Sequence, residues 1–237
     1  MYLKYTMELI MYTLHIANKN YSSWSLRPWI LMTELAIPFQ EIITPFEEGS
    51  SWEEFRKFSP TGLVPCLIDG DNKIWDSLGI TEYLAEKHDG IWPHNQDARA
   101  WARCASSEMH SGFSALRQIC PMNCGIMAKL HQLPESLAKD IARIDELWND
   151  GFTRFGGSYL AGENFTAVDA FFTPVAFRIR SYNLKLSDRS LEYVNMLLSL
   201  DSVQSWEKQA LQEEWRDPGH EKDVEKYGTV ISDKREA

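Results

Sequence analysis

The fold is decided by the stretch Ser59–Ser77, which reads SPTGLVPCLIDGDNKIWDS. Two strand-like segments, Cys66–Ile68 and Lys73–Trp75, flank an Asp-Gly-Asp-Asn sequence that is typical of a β-hairpin turn. Proline cannot donate a hydrogen bond to a β-ladder, so Pro65 is expected at the first position of the hairpin. A cis bond between Val64 and Pro65 would turn the preceding backbone outward, and an ordinary trans proline is the alternative.

The segments on either side of this hairpin alternate between strand and helix patterns. Side chains alternate over Thr13–Ala17 as in a short strand. Apolar residues recur at helical spacing over Leu26–Leu35, with Pro28 in the first turn of that predicted helix. The order predicts a small α/β domain with a mixed sheet over residues 13–88. The predicted elements are Thr13–Ala17, Leu26–Leu35, Ile37–Ile43, Trp52–Phe58, the hairpin, and Leu78–Lys87 with Ser77 as its cap.

The pattern becomes helical after a break at residues 88–96. Apolar side chains then recur at steps of about four residues, which places them on one face of successive helices. We therefore expect an all-helical second domain over residues 97–215. The segment 216–237 is polar, and we expect a loosely held tail there. The apolar faces comprise Trp101, Ala105, Met109, Phe113 and Leu116; Leu137, Ile141, Ile144, Trp148 and Phe152; and Val203, Trp206 and Ala210.

The composition excludes several classes of function. The chain has 237 residues with 24 Lys and Arg against 34 Asp and Glu, which gives a formal charge of −10. Nucleic acids and anionic membranes bind clustered basic residues, so neither is an expected partner. Four cysteines in so long a chain do not form a disulfide framework, which favours the reducing cytoplasm. No run reaches the roughly 18 apolar residues of a membrane span, and Glu8 argues against a signal peptide at the amino terminus.

Three of the four cysteines are candidates for metal ligands or for buried apolar side chains. Cys120 and Cys124 lie near His131, a combination that suggests a metal site. A single pair without a second cluster is a weak signal, so we expect no metal. Cys66 follows a proline within a strand and is expected to be a small buried apolar side chain.

Hydroxyl groups stand at two predicted helix starts. Ser22 and Ser23 lie at the first strand-to-helix turn, and Ser77 begins the helix after the hairpin. A hydroxyl and the free N–H groups of a helix start can bind a carboxylate, and the neighbouring Asp76 can hold an ammonium group. Because α/β sheets bind ligands at the carboxyl ends of their strands, both clusters are expected to serve one ligand. For each cluster alone, a simple helix cap is the alternative.

Four motifs resemble those of the cytosolic glutathione transferases, in particular the serine-type, zeta-like members. Residues 20–27, NYSSWSLR, resemble the Ser-Ser-x-Ser-x-Arg turn of zeta-like transferases. Residues 59–65 look like the approach to the cis-proline of the family, and Asp76-Ser77 is similar to its Glu/Gln-Ser pair. Residues 165–175, FTAVDAFFTPV, resemble the capping motif of a buried helix in the helical domain of the family. The resemblance extends over residues 13–215.

This resemblance implies a thioredoxin-like domain followed by a helical-bundle domain, in a cytoplasmic homodimeric enzyme of detoxification. Glutathione would be the co-substrate, without a metal, and a small electrophile would be the second substrate. The Val64–Pro65 segment would pair with the cysteinyl backbone of glutathione. Ser77 would meet the γ-glutamyl carboxylate, and Asp76 would lie near the amino group. Arg56 and Lys57 are candidates for the glycyl carboxylate by location alone.

The chemistry would depend on the thiol of glutathione. A free thiol has a pKa of about 8.5, so only a few per cent is thiolate at neutral pH. A serine hydroxyl at the amino terminus of the first helix would lower that pKa by about two units. Alignment with the zeta-like pattern selects Ser22 as the catalytic donor, whereas other serine-type classes space the donor one residue closer to Arg27 and select Ser23. We expect Ser22 to be the donor and Ser23 to contact glutathione.

The second substrate is expected between the two domains. Trp24, Met109 and Phe113 are candidates to line its pocket, and core packing is the alternative for each. Arg178 stands in a stretch that resembles the place where zeta-like isomerases carry a substrate-binding arginine.

Thr166 and Asp169 have the spacing of a capping box at a helix start. Phe165 and Ala170 are placed to pack across that start as a hydrophobic staple. We therefore predict a structural role for the Asp169 carboxylate, whose loss would destabilise the helical domain.

The leading functional hypothesis is a glutathione transferase that attacks small electrophiles. A glutathione-dependent cis–trans isomerase of the zeta type is the first alternative, because the serine turn is shared. A non-catalytic glutathione-binding module is the second. A thiol–disulfide oxidoreductase is disfavoured because serines stand at the first turn, where that chemistry requires cysteine.

Overall fold

The structure is a computed structural model that describes residues 12–48 and 50–235. The amino-terminal residues 1–11, for which the sequence predicts no signal peptide, lie outside the described residues. Within the described ranges, no helix is long and apolar enough to cross a bilayer.

A four-stranded mixed sheet with three helices forms the first part of the structure. The strands are β1 (Tyr12–Ile16), β2 (Phe39–Ile43), β3 (Cys66–Asp69) and β4 (Asn72–Ile74), in the spatial order β2-β1-β3-β4. Strand β1 runs parallel to β2, whereas the β1–β3 and β3–β4 pairs are antiparallel. The helices are α1 (Ser23–Glu34), α2 (Trp52–Arg56) and α3 (Ser77–Ala85). This arrangement confirms the thioredoxin-like fold that the sequence predicts.

Helix α1 begins at Ser23, before the apolar periodicity starts at Leu26. Ser22 is its N-cap, and the Ser22 hydroxyl accepts a hydrogen bond from the backbone N–H of Ser25 at 3.4 Å. Pro28 therefore lies inside the helix rather than in its first turn. Hydrophobic periodicity does not detect this first turn, because the turn is polar and is defined by its helix cap rather than by buried apolar side chains.

Seven helices dominate the second part of the structure, and α7 is its centre. All residues of α7 from Ala167 to Ile179 are buried, and the helix packs against α1, α4 and α8. The predicted capping box of Thr166 and Asp169 is confirmed at its start. The helices are α4 (Gln96–Ser111), α5 (Ser114–Ile119), α6 (Glu135–Phe155), α7 (Ala167–Tyr182), α8 (Asp188–Ser199), α9 (Asp201–Leu211) and α10 (Pro218–Tyr227).

Two strands also belong to this part, so the prediction of an all-helical domain is incomplete. Strand β5 (Ile126–Leu130) pairs antiparallel with β6 (Gly228–Asp233). The segment predicted to be a loose tail thus contains both α10 and β6, and that prediction is wrong for these residues. The polar composition gave no indication of two contacts that hold this segment in place. Val224 is buried in the core, and Arg235 forms ion pairs with acidic residues of α10 and β6.

A buried lysine joins the turn before α1 to the helical part. The Lys19 ammonium group lies 2.6 Å from Glu41 and 2.6 Å from the amide oxygen of Gln209. It also lies over the rings of Trp29 and Trp206, at 5.0 and 5.2 Å from their centroids. Burial lowers the pKa of Lys19, and the carboxylate of Glu41 opposes that change. These contacts fix the turn that leads into Ser22 and Ser23 against α9.

Candidate functional site

A cleft lies between the turn before α1, the segment before β3, and helix α10. It consists of two adjoining cavities with volumes of about 300 Å³ and about 600 Å³. Ser22, Ser23 and Val64 line the smaller cavity, and the Val64–Pro65 bond is cis, as the resemblance of residues 59–65 implied. The cleft therefore brings the serine turn and the proline segment to one place. The residues that line both cavities are Phe46, Phe55, Leu63, His220 and Asp223.

The Ser22 hydroxyl is engaged within its own helical turn. It donates a hydrogen bond to Ser25 Oγ at 2.7 Å and accepts the Ser25 backbone N–H. Ser25 Oγ in turn accepts the backbone N–H of Ala17 at 3.3 Å, which links the helix start to the end of β1. A hydroxyl has one proton to donate, and in this arrangement Ser22 donates it to Ser25.

The Ser23 hydroxyl has a different partner. Its oxygen accepts a hydrogen bond from Nη2 of Arg178 at 3.1 Å. The Arg178 guanidinium also donates through Nη1 to the carbonyl oxygen of Cys120, so it is held from two sides. Because the Ser23 oxygen acts as acceptor here, its proton remains for a group in the cavity.

Three arginines give this end of the cleft a positive electrostatic character. Arg27 is fully buried and lies 4.2 Å from the centroid of the Trp24 ring, and Arg117 lies over the same ring at 5.5 Å. Burial, followed by the charges of Arg117 and Arg178, lowers the pKa of Arg27 to about 9, and Asp76 opposes that change. Burial also lowers the pKa of Arg178 to about 10. Buried guanidinium groups this close together favour an anion beside them.

The Asp76-Ser77 pair occupies the start of α3, with roles that differ from the prediction. Asp76 is the N-cap and accepts the backbone N–H of Leu78 at 2.9 Å, so Ser77 is the first helical residue rather than the cap. Ser77 is fully buried, and its hydroxyl accepts a hydrogen bond from Arg27 at 3.4 Å. The Asp76 side chain is 53% exposed and lies 3.3 Å from Nε2 of His110. Burial lowers the pKa of His110, and Asp76 opposes that change.

The candidates for the second-substrate pocket divide into two groups. Trp24 and Arg178 line the smaller cavity. Met109 and Phe113 instead lie in the hydrophobic core and line neither cavity, which corrects their prediction as pocket residues. Their helical spacing reflects core packing, because a face that buries apolar side chains has the same period whether it meets a pocket or a core.

Arg56 and Lys57 lie outside the linings of both cavities. The Arg56 guanidinium lies 5.5 Å from the centroid of the Trp52 ring, and Lys57 forms an ion pair with Glu54 of the same helical turn. Trp52 lines the larger cavity, so Arg56 lies beside the cleft without being part of its lining.

The cysteines are buried or remote from this cleft. Burial raises the pKa of the Cys120 thiol to about 12 and raises that of Cys124 further. Burial also raises the pKa of Cys66, so these three thiols are unsuited to act as nucleophiles at neutral pH. No group of histidine, cysteine and acidic side chains in the part of the chain that the structure describes could hold a metal ion.

Several residues of the cleft were not found from the sequence. Arg117, Pro121 and Met122 come from α5 and the segment after it, and His220 and Asp223 come from α10. The sequence Asp217-Pro218 carried a usable signal, because an acidic N-cap followed by proline is typical of a helix start. The end of α5 offered no such signal, since only the tertiary fold brings it to the serine turn.

Comparison with known proteins confirms the resemblance seen in the sequence. Residues 21–87 match the family described as glutathione S-transferase, N-terminal domain. A dichloromethane dehalogenase of Methylorubrum extorquens is 41% identical over 61 residues, which cover 25% of this chain and 21% of that protein. The aligned region is thus about a fifth of the length of that relative. A probable maleylacetoacetate isomerase of Caenorhabditis elegans is 24% identical over 174 residues, covering 70% of this chain and 77% of the relative.

Solved structures share the fold over most of this chain. A glutathione transferase homologue from Burkholderia gl BGR1, solved with bound glutathione, superposes with a TM-score of 0.64. It is 20% identical and covers 84% of this chain and 98% of its own. At this identity the likeness confirms the fold, a thioredoxin-like domain joined to a helical one.

Proposed function

We propose that this chain is a serine-type glutathione transferase of the cytosolic family, acting on small electrophiles. The match of residues 21–87 to the glutathione S-transferase N-terminal domain, the relatives and the shared fold support this proposal. The observation that carries the proposal is the hydrogen bond from Arg178 to Ser23 Oγ in a cavity that Val64 also lines. Because the Ser23 oxygen accepts from Arg178, the Ser23 hydroxyl proton can be donated to an anionic sulfur atom, next to the positive charge of the guanidinium group. We extend the proposal to a cytoplasmic homodimer with a role in detoxification, as the family resemblance implies.

The proposed chemistry is stabilisation of a thiolate. The Ser23 hydroxyl donates its proton as a hydrogen bond to the glutathione sulfur, and Arg178 strengthens that donor by bonding to its oxygen. Both effects favour the ionised form of the thiol, since hydrogen bonds and positive charge act on the anion. The thiol proton leaves to solvent, so no general base is required. The thiolate then attacks the electrophile in the cavity bordered by Trp24, Arg117 and Met122.

The geometry favours Ser23 over Ser22 as the donor. The alignment with zeta-like transferases selects Ser22, but the Ser22 proton is directed to Ser25 Oγ at 2.7 Å. For Ser22 to serve a thiolate, its hydroxyl would have to leave that contact. Ser23 needs no such change, because its oxygen is already an acceptor.

The remaining contacts of glutathione follow the polarity of the site. We place its cysteinyl backbone at the main chain of Val64 and its γ-glutamyl group near Asp76 and Ser77. Arg27 connects the γ-glutamyl end of this site to the thiol end. It donates a hydrogen bond to Ser77 and lies against Trp24, which is beside the serine turn. The Asp76 carboxylate is partly exposed, so it can form an ion pair with the ammonium group of glutathione.

Binding of glutathione is the first expectation to test. The protein is expected to be retained on immobilised glutathione, to be eluted by free glutathione, and to conjugate a small electrophile. Calorimetric titration with glutathione measures the same interaction in solution. Binding without turnover of any of several electrophiles would identify a binding module, and the absence of binding would reject the proposed site.

Replacement of Arg178 is expected to impair thiol ionisation. The variant Arg178→Met removes the guanidinium from Ser23, and we expect the apparent pKa of conjugation to rise by about one unit. This rise lowers kcat/KM about tenfold at pH values well below both pKa values, where one pKa unit corresponds to a factor of ten, and about threefold at neutral pH. The measurement is the pH dependence of kcat/KM.

Arg180 provides the matched control for this variant. It lies on the same helix, pairs with Glu207 at 2.8 Å, and lines neither cavity of the cleft. Arg180→Met is therefore expected to leave the pH profile unchanged. Equal profiles for wild type and Arg178→Met would contradict the assigned role.

A glutathione-dependent cis–trans isomerase is the second candidate. It is favoured by the isomerase relative in Caenorhabditis elegans and by Arg117 and Arg178, whose charges suit a substrate carboxylate. In that reaction the thiolate adds to a conjugated double bond, rotation follows, and elimination returns glutathione. Incubation with a maleyl-type diketo acid separates the two functions: isomerisation without consumption of glutathione would replace the leading proposal.

A further inference from the structure

Helix α10 places a histidine–aspartate pair in the wall of the cleft. His220 lines both cavities, and its Nδ1 is hydrogen-bonded to the carboxylate of Asp217. Asp217 is also the N-cap of α10 and accepts the backbone N–H of Gly219 at 3.2 Å. The pairing of Nδ1 with a carboxylate fixes the tautomer and leaves Nε2 as the nitrogen that can exchange a proton with a ligand.

The imidazole ring is held in place by aromatic rings of the first domain. The ring centroids of Tyr21 and Phe46 each lie 5.1 Å from that of His220, at interplanar angles of 26° and 31°. Tyr21 directly precedes the serine turn, so the stack sets His220 next to the proposed thiol site. The Tyr21 hydroxyl donates to Glu221 of α10 at 2.5 Å, and Arg235 pairs with the same carboxylate. The helix that carries His220 is thereby fixed over the cleft.

Charged groups on several elements face this imidazole. From α10 these are Asp217, which pairs with it, and Asp223, which lines both cavities. From the segment after β2, Glu47 and Glu48 line the larger cavity beside it. Arg117 and Arg178 line the smaller cavity together with His220.

We propose that His220 is a catalytic acid for the electrophile half of the reaction, with Asp217 as its positioning residue. This assignment rests on the proposed function. It applies to electrophiles that gain a proton when sulfur adds, which are α,β-unsaturated carbonyl compounds. Ser23 prepares the thiolate of glutathione in the smaller cavity, and the proton donor His220 lines the same cavity.

The step balances as follows. A sulfur lone pair forms the C–S bond at the β-carbon, and the π electrons of the double bond move toward the carbonyl oxygen to give an enolate. Protonated His220 donates the proton on Nε2 to that enolate, which becomes the saturated carbonyl product. The neutral imidazole regains a proton from solvent, which received one from the glutathione thiol. One thiol and one alkene thus give one thioether, without an oxidant or reductant.

The test compares two electrophiles that differ in their need for a proton. An enone requires protonation after sulfur adds, whereas a nitro-activated aryl chloride releases chloride and requires none. In His220→Asn, the side-chain amide can still bond to Asp217, but the Nε2 position is lost. We expect kcat for the enone to fall about 100-fold, while turnover of the aryl chloride stays within about twofold.

Two further variants separate catalysis from structure. Asp217→Asn is expected to give a smaller loss for the enone and none for the aryl chloride, because it acts through the histidine. His131→Gln is the matched control, since His131 directly follows β5, is exposed, and bonds to Thr229 away from the cleft. Thermal unfolding of each variant confirms that it is folded.

Each result has a defined meaning. Retention of enone turnover by His220→Asn would overturn the assignment and leave His220 a packing residue. An equal loss with both electrophiles, or a change in the KM for glutathione alone, would also overturn it. Failure of the wild-type protein to bind glutathione would instead reject the proposed function, a result that calorimetry shows separately.

Discussion

The variant Asp169→Ala is expected to lower the free energy of unfolding by about 3 kcal/mol or more. The carboxylate accepts hydrogen bonds from the backbone N–H of Thr166 at 3.0 Å, the backbone N–H of Leu160 at 3.1 Å, and the Tyr193 hydroxyl at 2.8 Å. Asp169 is completely buried, so alanine would leave these donors without water or another acceptor. Burial raises the pKa of Asp169 to about 6 and the donors oppose that rise, so the group is ionised at neutral pH. Urea unfolding followed by circular dichroism measures the effect.

The neighbouring Glu163 supplies the control for this prediction. It is exposed in the segment that precedes α7, so Glu163→Ala is expected to change stability by no more than about 0.5 kcal/mol. A structural role for Asp169 also means that the folded fraction of Asp169→Ala keeps its pH profile of conjugation. Unchanged unfolding together with lost turnover would show that the carboxylate acts in chemistry instead.

The variant Ser23→Ala is expected to lower kcat/KM at neutral pH by about 3-fold to 25-fold, since a thiol whose pKa rises from about 6.5 by one to two units is less ionised at pH 7 by about those factors. The reason is that the hydroxyl between Arg178 and the sulfur is removed, which leaves the guanidinium without its contact to the ligand. The pH at which conjugation reaches half of its maximum should move toward that of a free thiol. The measurement is kcat/KM against pH with an aryl chloride.

Ser22→Ala is the matched control, because the two serines are adjacent and line the same cavity. Removal of the Ser22 hydroxyl breaks its contacts with Ser25 and costs about 1 kcal/mol of stability as a lost helix cap. Its pH profile is expected to match that of the wild type. The opposite pattern, with a shift in Ser22→Ala alone, would transfer the role of donor to Ser22.

Local sequence signals predicted the part of the fold that depends on backbone chemistry. The Asp-Gly turn and Pro65 located the hairpin of β3 and β4, and its register pairs Asp69 with Asn72. The spacing of Thr166 and Asp169 located the start of the buried helix α7. Each signal involves residues within a few positions of one another, which is the range over which turns and caps are determined.

The parts that were missed depend on contacts between distant segments. Met109 has the helical spacing of a pocket residue and of a core residue alike, and only the packing of α4 against α7 decides between them. Arg117 meets Trp24 because α5 folds back on the first domain. His220 reaches the cleft because Arg235 and Tyr21 hold α10 there. The polar composition predicted a loosely held tail, whereas the ion pairs of the buried Arg235 and strand β6 order that segment.

The most direct test of the account is the ionisation of glutathione bound to the wild-type protein. The ultraviolet absorbance of the thiolate, titrated against pH in the binary complex, reports the pKa of the bound thiol without any second substrate. The account predicts a value about two units below the value of about 8.5 for a free thiol. A bound thiol that ionises at the same pH as free glutathione would contradict the claim that the serine turn and Arg178 stabilise its anion.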